Sequence, residues 1–241
     1  IADEKLRRSF HFFEYRQALY AVDKRVDGAP SHLYINGGRG VATDGGPSTL
    51  EDEDQAWPVD QWVGAEVLIV DGPGRGEARK ILANTATELT VEVWDVGPDA
   101  DSEYVIRATP FWADITPATG DLIDGVVTDV AVLHDQVYFA QGDEEAILKM
   151  RFNAGSTPPI HEFDDDGSNT ADLLHSFHHA EDGPQLWRAR IAAGKISRSS
   201  HQNWGTNMSF GTEVRVGHKG NLILDLFDMG GAQWIVKEDG L

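Results

Sequence analysis

The residues best suited to chemistry form an acidic run, Asp-Asp-Asp-Gly-Ser-Asn, over residues 164–169. Alternate carboxylates around a glycine turn can converge on a hard cation, so the run is similar to a calcium-binding loop. An EF-hand would require Glu at the twelfth position, where Leu174 and His175 stand instead. The pattern therefore leaves two interpretations open, a solvated acidic turn and a Ca²⁺ site. The candidate metal ligands are Asp164, Asp166, Asn169 and Asp172.

A second group with possible ligands is the set of histidines near this run. Imidazoles three or four residues apart share a helix face and can bind a metal ion. The local pattern instead predicts a strand, which puts His175 and His179 on one face and His178 on the other. Partly buried structural histidines are therefore the favoured interpretation. The set comprises His161, His175, His178, His179 and His201.

Seven tryptophans offer flat apolar surfaces on which sugar rings could stack. Those that alternate with apolar neighbours are expected in the core, and those that flank loops are expected to be exposed. Trp112 and Trp204 are the candidate ligand-binding residues. The tryptophans expected in the core are Trp94, Trp187 and Trp234, and those expected at the surface are Trp57, Trp62, Trp112 and Trp204.

Signatures of enzymes are missing from the sequence. It contains no G-x-S-x-G element, and the Gly-Pro-Gly-Arg-Gly-Glu segment at 72–77 lacks the Lys-Ser/Thr of a phosphate-binding loop. The absence of cysteine excludes disulfides, thiolate catalysis and Cys-zinc sites. Forty carboxylates make a chance acidic pair uninformative. We therefore predict a protein that is not an enzyme and that needs no cofactor, apart from the possible Ca²⁺.

Composition limits the partners. Forty acidic against 20 basic residues give a formal net charge of −20, which repels nucleic acid and anionic membranes. No apolar run approaches the ~18 residues of a membrane-spanning helix. The chain begins with Ile rather than Met, which is typical of a processed piece of a longer polypeptide.

The elements that must position these residues are strands. Between residues 62 and 109, short β-branched runs alternate with turn residues at steps of roughly ten, which is typical of a small all-β module. The glycines at 72–76 predict a hairpin turn, and Asn84 suits a left-handed turn position. Segments 37–40 and 44–47 read as glycine-rich loops. The predicted strands of the module begin at Val67, Arg79, Leu89 and Tyr104.

This stretch resembles a β module that recurs in structural proteins of tailed phages and prophages. The resemblance covers about a fifth of the chain and implies a virion component of the tail or adsorption apparatus, without catalytic residues. The matching positions are Trp62, Gly64, Gly72, Gly74, Gly76, Arg79, Ile81, Asn84, Thr85, Thr87, Leu89, Thr90, Val91, Trp94, Pro98, Asp99, Ser102, Tyr104 and Ile106.

The rest of the chain shows a weak repeat of strand, short turn and aromatic strand. Its aromatic falls at Tyr138, Trp187 and Trp234, with Tyr20 as an earlier equivalent. Steps of about 48 residues suit four-stranded propeller blades. We predict an all-β fold of propeller-like antiparallel blades with an inserted small β-barrel or sandwich module. The predicted parts are 1–30 (first strands), 31–110 (module) and 111–241 (further repeats).

The sequence thus predicts a non-enzymatic structural component of a tailed virus particle, located in the virion. Unpaired sheet edges invite association, so its expected partners are other virion proteins and copies of itself. Neither nucleic-acid binding nor membrane insertion is expected. The alternative is a carbohydrate-binding adsorption protein that contacts a host surface glycan through the loop tryptophans.

Overall fold

A computed structural model describes residues 9–24, 30–109, 111–117, 125–179, 183–191, 195–200, 206–216, 222–229 and 232–237. Within these ranges the protein is all-β, with antiparallel sheets and no helix. Accordingly, the described part of the chain contains no helix of the length and apolarity that crossing a membrane requires.

The strands follow one another closely along the chain. The first eleven are β1 (Ser9–Tyr15), β2 (Ala18–Lys24), β3 (Leu33–Asn36), β4 (Gly38–Val41), β5 (Asp44–Gly46), β6 (Thr49–Glu51), β7 (Glu66–Asp71), β8 (Ala78–Asn84), β9 (Glu88–Val91), β10 (Glu103–Arg107) and β11 (Trp112–Asp114). The others are β12 (Asp129–Leu133), β13 (Gln136–Ala140), β14 (Gly142–Asn153), β15 (Ile160–Ala171), β16 (Leu173–His179), β17 (Gly183–Arg190), β18 (Lys195–Ser200), β19 (Val214–Arg215), β20 (Ile223–Met229) and β21 (Ala232–Lys237).

The first sheet is interrupted by a long insertion. Its strand order is β1-β2-β3-β11, and the strands between β3 and β11 form a separate seven-stranded sheet. We call residues 38–107, which contain that sheet, the module. The sequence assigned 31–110 to the module, whereas β3 pairs with β2 through Tyr20 and Ile35. The predicted boundary differs from the observed one because the sequence of β3 does not indicate which strand it pairs with.

Two further four-stranded sheets and a two-stranded sheet follow, each an antiparallel meander in chain order. The first strands of successive sheets contact one another, β1 with β12, β12 with β16 and β16 with β20. The repeat aromatics all lie on the second strand of their sheet, namely on β2, β13, β17 and β21. The sequence repeat therefore corresponds to a repeated sheet.

The module has the strand order β4-β10-β7-β8-β9-β6-β5. The four strands predicted inside it are present as β7 to β10. The predicted loops at 37–40 and 44–47 are wrong in part, because β4 and β5 form there. Gly40 explains the first error, since a Cβ at this position would lie 2.6 Å from the Tyr104 hydroxyl. The glycine thus admits a partner side chain from β10 rather than marking a loop.

Two apolar cores meet at the module. One lies within it and includes Trp57, Trp62 and Trp94, so the expected exposure of Trp57 and Trp62 is wrong. The other combines Leu68, Val70 and Val105 of the module with residues of the first sheet and of the sheet β12-β13-β14-β15, which we call the second sheet. Because the second core crosses the boundary, the module packs directly onto the sheets.

Candidate functional site

The acidic run lies inside a strand rather than in a free turn. Residues 164–169 belong to β15, with Gly167 at a φ of 64° and a register shift between the pairs Ala146↔Thr170 and Leu148↔Asp165. The run therefore forms an irregularity within β15 rather than the expected solvated acidic turn. The sequence did not predict this strand, because its three consecutive aspartates do not show the usual alternation of apolar and polar residues.

Two of the four candidate calcium ligands face a lysine. The buried ammonium of Lys149 lies 2.8 Å from Asp164 Oδ2 and 3.6 Å from Asp166 Oδ1. Burial raises the pKa of Asp166 above its usual value, although bonds from the Met208 amide and Asn169 and the charge of Lys149 oppose this. One cationic side chain thus already pairs with both of these carboxylates.

The other two candidate ligands form hydrogen bonds with neighbouring protein groups. Asn169 Nδ2 donates to Asp166 Oδ2 and to the Met208 carbonyl, and Asp172 Oδ2 accepts from the Ile191 amide. Among the described residues, no group of three or more His, Asp or Glu side chains is arranged to hold a metal ion. The Ca²⁺ site therefore stays a prediction that rests on residue types.

One predicted histidine joins a buried polar network. Arg39 Nη1 donates to the Tyr20 hydroxyl at 3.0 Å, and this hydroxyl lies 2.9 Å from His161 Nε2. Since a guanidinium only donates, the Tyr20 proton points to His161, which accepts it in the neutral form. Burial, aided by the charge of Arg39, lowers the pKa of His161 to about 3. Burial likewise raises the pKa of Tyr20 to about 12.

Arg39 joins three parts of the molecule. Its Nη2 donates to Glu103 Oε1 at 2.8 Å and to the Arg16 carbonyl at 3.0 Å. Its guanidinium carbon also lies 4.5 Å from the ring centroid of Phe152 on β14. The ion pair with Glu103 lies within the module, whereas the contacts with Tyr20 and Phe152 reach the first and second sheets. This role could not be predicted from the sequence, because Arg39 stands between two glycines of a predicted loop.

The residues that carry the resemblance hold the module together. Asn84 Oδ1 accepts from the Trp62 amide at 2.9 Å, and Asn84 Nδ2 donates to the Pro58 carbonyl at 2.9 Å. Asn84 is not among the described residues with positive φ, so the prediction of a left-handed turn position is wrong. An asparagine is needed here for the hydrogen bonds of its side chain. The Ser102 hydroxyl donates to the Pro73 carbonyl, and the Tyr104 hydroxyl donates to Asp52. These are turn and core contacts.

Of the two candidate ligand-binding tryptophans, Trp204 lies outside the described residues. Trp112 lies on β11, on the outer face of the first sheet, where it lines an open cleft with a volume of about 330 Å³. Its ring centroid is 6.0 Å from that of Phe12, and Phe10 lies 6.0 Å from Phe12 and 6.4 Å from Tyr34. We call the set Phe10, Phe12, Ala21, Tyr34 and Trp112 the aromatic cleft.

Four rings thus surround a small residue on the exposed side of a sheet. Phe12 is 62% and Phe10 43% exposed, whereas Ala21 is buried beneath them. At the rim, His32 Nδ1 lies 3.0 Å from Asp114 Oδ2. Burial opposes ionisation of Asp114, but hydrogen bonds from Thr116 and His32 outweigh it and lower the pKa of this carboxyl.

Sequence reasoning found Trp112 but missed the other three rings. The alternation in Phe10-His11-Phe12-Phe13 was the available signal, since a strand places Phe10 and Phe12 on one face. Trp234, expected in the core, is 48% exposed on the two-stranded sheet.

Comparison with known proteins identifies no family for this chain. No protein-family model matches this sequence, and no curated protein shows significant similarity to it.

Proposed function

We propose that this protein is a non-enzymatic structural component of a tailed virus particle, in the tail or its adsorption apparatus. It acts by packing against other virion proteins and copies of itself. The observation that carries the proposal is that the side chains best suited to chemistry are bonded to other groups of the fold. The buried ions and the recurrent motif residues satisfy backbone groups and each other, as in the pairs Arg39–Glu103 and Lys149–Asp164.

The proposed architecture is propeller-like, with the module as a small barrel or sandwich grafted between β3 and β11. Support comes from the succession of four-stranded meanders and from the contacts between their first strands. In propellers such sheets are arranged radially around a central axis, and their edges are short and protected. The two-stranded sheet β20–β21 leaves Leu224 and Trp234 exposed, so it offers apolar surface to a neighbour.

The test is the molar mass in solution, measured by light scattering at low and high salt. A net charge of −20 makes copies repel one another at low salt, and salt screens this repulsion. We therefore expect a defined multimer, at least at high salt. A monomer of 26.5 kDa in both conditions would contradict self-association. Trp234→Ser, which removes exposed apolar surface, should reduce the multimer, and exposed Val59→Ser in the module is its matched control.

The second candidate function is carbohydrate binding during adsorption, and the position of the half-buried Trp112 ring in an open cleft favours it. A glycan array tests this candidate directly. Saturable binding that disappears in Trp112→Ala, while the variant keeps its β-sheet circular dichroism, would support it. Binding that is unchanged in Trp112→Ala would place any glycan site elsewhere.

A further inference from the structure

The aromatic cleft follows from the register of the first sheet. Phe12 pairs with Ala21, Ala21 with Tyr34, and Tyr34 with Asp114, so these residues form one row across four strands. Side chains directly opposite each other in neighbouring strands share a face. The row therefore places two rings, one on each side of a methyl group, and a carboxylate at its end.

Residues two positions away along the outer strands complete the cleft. Phe10 precedes Phe12 on β1, and Trp112 precedes Asp114 on β11, so their side chains lie on the same face. Ala21 leaves the central strand low while the flanking rings stand above it. The result is a depression with ring faces and edges as walls, rather than a flat apolar surface.

The charges around the cleft are acidic. Asp114 stands at the end of the row, and exposed Glu14 follows Phe12 at the next position of the same face. The other described residues of this face are Leu19, buried Asp23, His32 and Asn36. His32 stacks on Tyr34 and contacts Asp114, and none of this group is Lys or Arg. Aromatic faces carry negative charge density and attract a cation within ~6 Å of the ring. Carboxylates at the rim add to that attraction.

We propose that the aromatic cleft binds the cationic side chain of a basic protein segment, an arginine or lysine inserted between the rings. The volume of about 330 Å³ matches a single side chain better than an oligosaccharide. Within the lining, only the Tyr34 hydroxyl and the Trp112 indole N–H are side-chain hydrogen-bonding groups, fewer than the hydroxyls of an oligosaccharide require. A second copy with its own net charge of −20 would bring like charge to an acidic rim, so the occupant belongs to a different, basic protein.

The inference depends on this face alone and holds whether or not the protein belongs to a virion. Its failure is therefore separate from that of the proposed function, which the molar mass tests. A protein can form the multimer and leave the cleft empty, or fill the cleft as a monomer.

The test is an NMR titration of the intact chain with ¹⁵N-labelled tryptophan. The indole resonance of Trp112 is assigned by its loss in Trp112→Phe. The probes are acetyl-arginine methylamide and acetyl-citrulline methylamide, which has a similar shape but no charge. We expect a saturable shift of the Trp112 resonance with arginine and at least about fivefold weaker binding of citrulline.

Variants separate the cleft from a general surface effect. Phe12→Ala removes an exposed ring and should weaken arginine binding about threefold or more, and Asp114→Asn should weaken it by a smaller factor. Leu19→Ala, on the same face outside the cleft, should bind like the parent chain. The dispersion of the remaining indole resonances reports folding in every sample.

Three results would overturn the inference. The first is a Trp112 resonance that does not move with arginine, and the second is equal binding of arginine and citrulline. The third is a shift with a soluble oligosaccharide such as maltotetraose but not with arginine, which would favour the carbohydrate alternative.

Discussion

The module and the sheets around it are specified by different kinds of interaction. In the module, Asn84 and Ser102 hydrogen-bond to backbone groups of distant turns, so the identity of each residue matters. In the sheets, the second-strand aromatic changes from Tyr138 to Trp187 between repeats, because packing tolerates residues of similar size and shape. A motif held by hydrogen-bond geometry is therefore recognisable residue by residue, whereas a packed repeat is recognisable only as a pattern.

The junction should show the largest effect, because there a module cation is buried against the sheets. In Arg39→Met, Glu103 loses its 2.8 Å partner and retains only the more distant Arg16. Leaving a buried charge without its partner costs about 3–5 kcal/mol, so we expect a loss of this order in the free energy of unfolding by urea. The matched control Arg75→Met breaks an exposed pair with Asp71 and should change it by less than about 0.5 kcal/mol. Equal effects of the two variants would show that the buried Arg39–Glu103 pair does not stabilise the protein more than an exposed pair does.

Backbone geometry in the module and at its entry should produce the next largest effect. Gly37 and Gly64 both have positive φ, but only a Cβ at Gly37 would clash, at 1.9 Å from the Ile106 carbonyl oxygen. Gly64→Ala should therefore cost about 1 kcal/mol from conformation alone. Gly37→Ala should cost at least about 2 kcal/mol, because the strands must also move apart. Similar unfolding midpoints for the two variants would contradict the tight contact between Gly37 and β10.

Acid should weaken the sheet side of the junction. The folded pKa of His161 is about 3, below its ordinary value of 6.5, so between these values the unfolded chain binds a proton that the folded chain does not. The stabilisation is complete above pH 6.5 and is lost as pH falls, at about 1.4 kcal/mol per pH unit well below 6.5. His161→Gln keeps an acceptor for Tyr20 and should lose less stability than the parent chain between pH 6 and 4.5. Parallel pH profiles in urea unfolding would exclude His161 as the cause.

The outer face of the first sheet should show the smallest effect on stability. Phe12→Ala removes a mostly exposed ring, so we expect a change of less than about 1 kcal/mol in the free energy of unfolding. Phe139→Ala, the buried counterpart on the second sheet, should cost about 3–5 kcal/mol. A large effect of Phe12→Ala would mean that the aromatic cleft serves the fold rather than a ligand.

The sequence predicted the all-β class, four strands of the module and the repeated aromatic strand. These features depend on local alternation and turn residues, which a single stretch of sequence displays. β4 was missed because Gly38 and Gly40 look like a loop until Tyr104, far along the chain, is placed beside them.

The candidate site was predictable only in part. Trp112 was named, but the cleft depends on the pairing of β11 with β3, which brings β11 into one sheet with β1 although the module separates them along the chain. The role of Arg39 and the partners of His161 could not be predicted for the same reason, since the contacts of a buried polar side chain depend on residues from several sheets. Local pattern cannot supply such long-range pairing.

The central claim is that the module and the first two sheets form one packed unit joined at Arg39 and by a shared apolar core. Native-state amide hydrogen exchange tests it most directly, because it measures the free energy of opening for each strand. If the module and the first two sheets form one unit, we expect one common opening free energy for the slowest amides of β2, β7, β10 and β13. A clearly lower value for β7 and β10, with β2 and β13 unaffected, would show that the module opens independently and would contradict the claim.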